Sequence, residues 1–200
     1  MNQNIKQAAI LIKSGKIVAF PTETVYGLGV DYLNEQALIS LFELKRREKN
    51  KPFTLHVNSI SQIENVAMEL QDSFYELANA FFPGPLMLIV KAKKEMSKYI
   101  SHNGTIGIRY PDHNIALMLI KAVGRPIAAT SANISKKNDA ICEEEVKNYF
   151  PKLPMIIGGG TTKFKKYSTI LNLTSEHPII LREGVITKKQ IKNVLKKIIF

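Results

Sequence analysis

Apolar positions along the chain alternate between two spacings, and the alternation itself predicts an α/β fold. Ile5, Ala8, Ala9 and Ile12 fall at helical spacing and Gly15 is placed to end that helix, after which the continuous apolar run Ile17 to Phe20 reads as a buried strand stopped by Pro21. Asn34 is placed to cap a second helix, on which Leu38, Leu41, Phe42 and Lys45 share one stripe at i, i+3, i+4 and i+7. Strand patterns follow over Pro52 to Val57, Leu86 to Val90, Ile106 to Arg109 and Pro126 to Thr130. Helical patterns cover Phe74 to Phe82, stopped by Pro83-Gly84-Pro85, and His113 to Val123, with Asp112 as the expected cap and Gly124 as the end. The rhythm continues with a helix over Glu143 to Phe150, strands at Met155 to Ile157, Ser168 to Leu173 and Ile179 to Leu181, and a last helix opened by a Thr187 and Gln190 capping box. That helix carries Ile191, Val194, Leu195 and Ile198 on one face and basic residues between Lys188 and Lys197 on the other. No internal repeat or long linker interrupts the pattern. Gly158 to Lys166, glycine-rich and basic, is the segment expected to move most.

Composition narrows the reading. With 200 residues of which 45% are hydrophobic, one domain with a substantial core is expected. Twenty-eight Lys and Arg stand against 17 Asp and Glu, a formal charge of +11 that favours anionic partners without choosing among nucleotides, carboxylates, RNA and membrane surfaces. The lone cysteine, Cys142, excludes an intrachain disulfide and a multi-cysteine zinc site, in keeping with a reducing compartment. Met1 to Ile12 lacks the unbroken apolar core of a signal peptide, and no apolar run approaches the roughly 18 residues of a membrane span, so a cytoplasmic protein with no membrane partner is expected.

The candidate chemistry begins at Phe20-Pro21-Thr22-Glu23-Thr24-Val25-Tyr26-Gly27-Leu28-Gly29, where hydroxyls, a carboxylate and a phenol follow a strand end and the two glycines allow close approach or positive φ. A structural turn would use the same residues. Neither a phosphate loop nor a dinucleotide fingerprint is present, so a nucleotide site would rest on cations and hydroxyls converging on a concave surface, with Lys45, Arg47, Arg109 and Arg182 as candidates. Lys45 and Arg47 would point about 200° apart on a continuous helix, so sharing a ligand requires the helix to end between them. Arg109 suits bidentate carboxylate binding or a structural ion pair. Ser131 and Asn133 follow a strand and suit either a ligand or a local turn. His56, His102, His113 and His177 are scattered, and Cys142 lies beside Glu143-Glu144-Glu145, so neither a zinc site nor an activated thiolate is indicated and no protein-held metal is expected.

Read together, Pro21-Thr22-Glu23-Thr24-Val25-Tyr26-Gly27-Leu28, Lys45-Arg46-Arg47, Phe82-Pro83-Gly84-Pro85-Leu86, Ile108 to His113, Ser131-Ala132-Asn133-Ile134-Ser135, Ser168-Thr169-Ile170 and Leu181-Arg182 resemble the YrdC-like threonylcarbamoyl-AMP synthase family. The resemblance implies a single-domain YrdC-like fold over residues 1–200, a twisted mixed β-sheet with flanking helices around a basic concave cavity, and no additional C-terminal domain. It implies condensation of L-threonine, bicarbonate or carbon dioxide, and ATP, with Mg2+ on the phosphates and release of pyrophosphate. It assigns Lys45, Arg47, Thr105, Ser131, Asn133 and Arg182 to the nucleotide, with Lys45 and Arg47 as an electrostatic phosphate clamp, and Thr22, His56, Arg109 and Ser168 to threonine. A downstream tRNA-modifying transferase is the implied partner, with direct tRNA contact left open. The chain departs from the family pattern at Thr130, at Tyr167, where an acidic residue is common, and at Ser135 to Asp139, which lacks a common glycine. The alternative function is an RNA-binding or ribosome-assembly module using the basic cavity.

Overall fold

In the computed structural model, which describes residues 3–48 and 51–195, nine strands form one mixed sheet. In chain order the elements are α1 (Gln3–Lys13), β1 (Val18–Phe20), β2 (Gly27–Asp31), α2 (Glu35–Lys45), β3 (Thr54–His56), α3 (Ile60–Glu64), α4 (Asp72–Phe81), β4 (Leu86–Lys91), β5 (Thr105–Arg109), α5 (Asn114–Val123), β6 (Ile127–Ser131), α6 (Glu143–Tyr149), β7 (Met155–Ile156), β8 (Thr169–Asn172), β9 (Ile179–Arg182) and α7 (Lys188–Val194). Across the sheet the order is β7-β1-β2-β6-β3-β5-β4-β8-β9, with β7-β1, β3-β5 and β4-β8 parallel and the other neighbours antiparallel. This is the mixed α/β architecture that the spacing predicts. Among the described residues no helix is long and apolar enough to cross a membrane.

Strand alternation sends successive side chains to opposite faces. On one face Leu28, Val30, Leu55, Leu88, Ile108, Ala128 and Leu171 pack with residues of α2, α4 and α7 in a large core. On the other, Val18, Phe20, Ile127 and Ala129 pack against Ile5, Ala8, Ala9 and Ile12 of α1 and Leu119, Ile120 and Val123 of α5. That smaller core takes residues from only one end of the sheet. Beyond β6, the same face carries Thr54, His56, Gly107, Arg109, Met87, Ile170 and Arg182, and there the cavity lies.

Local details agree with the sequence pattern at most element ends. Gly15 and Gly124 take left-handed conformations after α1 and α5, Asn34 Oδ1 accepts from Ala37 N at 3.0 Å, and the Thr187 and Gln190 box is formed. Three differ. The cap of α5 is His113, whose Nδ1 accepts from Ile115 N, and not Asp112. The short helix α3, capped by Ser59, has too few apolar positions to register as a period. Gly27 and Gly29 lie in β2, a strand that the spacing does not mark, and of the two expected uses they serve close approach: a Cβ at Gly29 would come within 2.8 Å of the Phe20 ring and 2.7 Å of Ile127. The expected apolar position Ile198 and the lysines at 196 and 197 lie outside the described residues.

Candidate active site

Register assembles the site. His56 of β3 pairs with Arg109 of β5, Arg109 with Met87 of β4, Met87 with Ile170 of β8, and Ile170 with Arg182 of β9, so one row crosses five strands. Neighbours in such a row stand roughly 5 Å apart. Small residues form the floor beside it: Gly107, paired with Thr54, leaves space that a Cβ would take from Met87 Sδ at 3.3 Å, and Thr54 pairs in turn with Ala129. The result is a cavity of about 170 Å³ lined by Thr22, Thr24, Arg47, His56, Arg109, Ser131, Tyr167, Ser168 and Arg182, among others. A second cleft of about 350 Å³ shares Arg47 and Ser131 with it and adds Lys45, Arg46, Asn133, Ser135, Lys136 and the ion pair of Lys51 with Glu48 at 3.1 Å.

The first cavity is built on a buried ion pair. Arg109, only 4% exposed, donates from Nη2 to Glu23 Oε1 at 2.7 Å and to Thr24 Oγ1 at 3.2 Å, and from Nε to Gly84 O at 2.9 Å. Nη1 donates to no atom among the described residues. Thr24 Oγ1 meets Thr22 Oγ1 at 2.9 Å, and Thr22 Oγ1 donates to Val25 O at 2.6 Å while the amides of Thr24 and Val25 point back at it. The Thr22 hydroxyl thus folds its own turn, the structural use of this motif, although the residue does line the cavity. Glu23 Oε2 is buried and has no protein partner.

His56 stands edge-on to Phe20 with ring centroids 5.9 Å apart, and its Nδ1 is buried without a partner. Burial, reinforced by the Arg109 charge beside it, pushes its pKa down to about 3, so it is a neutral imidazole at physiological pH. At the far end of the row, Arg182 donates to Ser168 O from Nη2 at 3.0 Å and stacks over the Tyr167 ring at 4.4 Å. Burial lowers the Arg182 pKa, and Asp139, at the cavity wall, opposes that shift.

The second cleft contains the two cations of the Lys-x-Arg motif. Helix α2 stops at Lys45 because Arg46 turns left-handed at φ 50°, its amide and that of Arg47 closing on the Phe42 and Glu43 carbonyls. That is the break needed for both side chains to reach one cleft. Arg47 is braced by Lys51 O at 2.7 Å and Pro52 O at 3.2 Å and lies over the Phe53 ring. Lys45 behaves differently. Its side chain, 1% exposed, comes from the opposite face of the sheet and ends on Ser131 O, Asn133 O and Asn133 Oδ1. Burial and the nearby Arg47 push its pKa down to about 7.

Of the ten residues singled out in the sequence, Arg47, Ser131, Arg182, Thr22, His56, Arg109 and Ser168 line the cavity, and Lys45 and Asn133 line the cleft. Thr105 belongs to neither. It lies four residues from Arg109 on β5, roughly 13 Å along the strand, and its hydroxyl is taken by His102 O at 2.8 Å. Glu23 and Thr24 stand in the motif of residues 20–29, but no local pattern marks them as partners of Arg109, which lies 86 residues beyond Glu23. The Gly158 to Lys166 segment, expected to move, is tied down in three places: Tyr26 OH accepts from Gly159 N and donates to Gly160 O at 3.0 Å each, Phe164 N donates to Glu23 O, and Thr162 N donates to Ile141 O.

The sequence and the fold are similar to those of known proteins. A family profile described as telomere recombination, Sua5/yciO/yrdC, matches residues 10–184. A threonylcarbamoyl-AMP synthase of Pyrococcus abyssi is 40% identical over 97% of this chain and 58% of its own length, and one of Bacillus subtilis is 39% identical over 96% and 56%. The chain therefore spans little more than half the length of these two relatives. The crystal structure of P. abyssi Sua5 complexed with L-threonine superposes with a TM-score of 0.93 at 40% identity, covering 97% of this chain and 58% of that one. E. coli YciO superposes at 0.85 with 27% identity, covering 94% and 92%. With its motifs, sheet and cavity all within the matched span, the chain belongs to the Sua5/YciO/YrdC family.

Proposed function

We propose that this chain is an L-threonylcarbamoyladenylate synthase, a nucleotidyltransferase that condenses L-threonine, bicarbonate or carbon dioxide, and ATP and releases pyrophosphate. One observation carries the reading: a cavity centred on a paired arginine shares Arg47 and Ser131 of its wall with a cleft rich in cations. Arg109 with its free Nη1 suits an amino-acid carboxylate, neutral His56 suits a hydrogen bond without added charge, and the Arg46, Arg47, Lys51 and Lys136 side suits phosphates. The names of the relatives and the threonine complex of the P. abyssi protein support the same substrates.

In this scheme the unprotonated threonine amine adds carbon dioxide and releases a proton to water to leave a carbamate, whose oxygen attacks the α-phosphorus of ATP as the bond to the pyrophosphate oxygen breaks. Both reactants are anions, so the protein's tasks are alignment and charge neutralisation, with no protein nucleophile required. Arg109 orients the carboxylate. Arg47, at the junction of cavity and cleft, is placed to neutralise charge where the two substrates meet. Magnesium would arrive on ATP. Among the described residues no group of three His, Cys, Asp or Glu side chains could hold a metal ion, and Asp139 is the carboxylate at the cavity wall; this donor set fits an ion held mainly by phosphate oxygens and water, which would draw charge from the departing pyrophosphate.

The adenylate would pass to a separate transferase that modifies an adenosine beside the tRNA anticodon, in the cytoplasm. The RNA-binding alternative gains little support, because among the described residues the exposed aromatic side chains are Tyr75, Phe164 and Tyr167, and Tyr167 is stacked on Arg182. The test is mass spectrometry of protein incubated with ATP, magnesium, L-threonine and labelled bicarbonate, leaving out each in turn. Labelled threonylcarbamoyl-adenylate that requires every component is expected; its absence from folded protein that binds both substrates would overturn the proposal.

A further inference from the structure

Outside the substrate site, apolar side chains that pack on the edge of the large core reach the surface together in one groove. Ile17, Leu44, Ile134, Tyr149 and Leu153, all partly buried, line it with the buried Phe150, and its volume is about 480 Å³. That lies within the roughly 300–1,000 Å³ of pockets that take ligands. Three helices end there: Lys16 follows α1, Arg46 caps α2 and Lys152 follows α6. Cations at helix C-termini ordinarily answer the helix dipole. Here following amides already close carbonyls of each helix end, Lys16 N on Leu11 O at 2.9 Å, Arg47 N on Phe42 O at 3.0 Å and Phe150 N on Val146 O at 2.8 Å. The Lys16, Arg46 and Lys152 side chains make no ion pair or hydrogen bond among the described residues, and none of the described residues lining the groove is acidic.

The groove shares no residue with the cavity around Arg109. It backs onto the phosphate side instead: Leu44 and Ile134 line the groove, their chain neighbours Lys45, Asn133 and Ser135 line the cleft, and Arg46 lines both. An apolar floor with unpaired cations at its rim is complementary to a chain that carries large apolar side chains between carboxylates. A compact polyanion would need the cations drawn to one point, whereas these come from three separate segments. A second copy of this chain brings the same formal charge of +11 and is repelled. We propose that the groove docks an acidic segment of a partner protein, with one or two large apolar side chains on the floor and flanking Asp or Glu residues on Lys16, Arg46 and Lys152. The inference does not depend on the substrates proposed above.

The experiment is a heteronuclear NMR titration of the full chain with the end-blocked peptide Glu-Leu-Phe-Asp-Leu-Glu, beside one control in which Gln and Asn replace the acids and one in which Ala replaces the apolar residues. The amides of Ile17, Leu44, Ile134 and Leu153 should shift with the acidic peptide, at an affinity at least about tenfold above either control, and the shifts should persist in excess inorganic tripolyphosphate. Lys16→Glu with Lys152→Glu reverses two exposed charges that line the groove and not the cleft, and should weaken the peptide at least about tenfold with the melting curve unchanged. No shift at these amides up to about 1 mM peptide, equal binding by either control, or undiminished binding by the double variant would overturn the proposal. Shifts abolished by tripolyphosphate would place the peptide in the cleft and overturn it as well. So would shifts of the same amides on concentrating the protein alone, which would give the groove to a second copy.

Discussion

Arg109 and Lys45 are both almost wholly buried cations, 4% and 1% exposed, and they are neutralised in different ways. Arg109 has a carboxylate, Glu23, at 2.7 Å; Lys45 is bonded to neutral oxygen atoms, and of the charges near it Arg47 opposes its ammonium while Asp139 favours it. The Arg109–Glu23 pair is itself neutral and leaves one guanidinium nitrogen unpaired, which suits the carboxylate of an amino acid, while Arg47 and Arg182 stand against Asp139 on the rest of the cavity wall. A cleft whose cations outnumber its carboxylates has positive potential to spare, which suits a polyanion. The two substrates proposed here differ in that respect.

The largest effect should come from breaking the balance. Glu23→Leu leaves Arg109 charged and alone in the interior, and unfolding measurements should find it destabilised by about 3–5 kcal/mol. A loss below about 1 kcal/mol would mean that the pair contributes little and that the contrast with Lys45 has been drawn too sharply.

His56 tests the same region through pH. Its folded pKa of about 3 lies below the ordinary 6.5, so as pH falls below about 6.5 the unfolded chain takes up a proton that the folded protein refuses. Stability should fall progressively between pH 6.5 and about 3, by up to about 1.4 kcal/mol per pH unit from this group. Melting curves of wild type and His56→Gln should converge toward low pH if this holds; a constant offset would contradict it.

On the cleft side, Arg47→Ala should lower the rate of adenylate formation at least about tenfold, or roughly 1.4 kcal/mol of transition-state stabilisation. Full activity in the folded variant would remove the cation from the meeting point of the substrates. The smallest effect belongs to Thr105. Its hydroxyl serves a turn outside both cavities, so Thr105→Ala should leave ATP and threonine affinities unchanged and stability within about 0.5–1 kcal/mol. Lost nucleotide affinity would show that β5 contributes to the site from both ends.

How much of this could be read from the sequence follows from the range of the interactions. Strands, helices and most caps depend on residues within a few positions of one another, and they stand close to where the spacing puts them. The site depends on register. Thr105 and Arg109 share a face of β5 and so resemble one another in any local pattern, but only the pairing of Arg109 with His56 and Met87 decides which of them meets the cavity. Glu23 and Arg109 are 86 residues apart, and nothing local links them. The helix break after Lys45 was a condition the sequence could pose; the direction of the side chain, inward to Ser131 and Asn133, depends on β6 ending beside α2.

The division between a cavity built on a neutralised arginine and a neighbouring cationic cleft can be tested with a phosphate chain that has no base. Inorganic tripolyphosphate should be titrated into the protein by calorimetry with and without saturating L-threonine. The account predicts that tripolyphosphate binds in both cases with affinities within about twofold of each other, or tighter when threonine is present, as neighbouring sites require. Competitive displacement of threonine by tripolyphosphate would contradict it, since both ligands would then occupy one site.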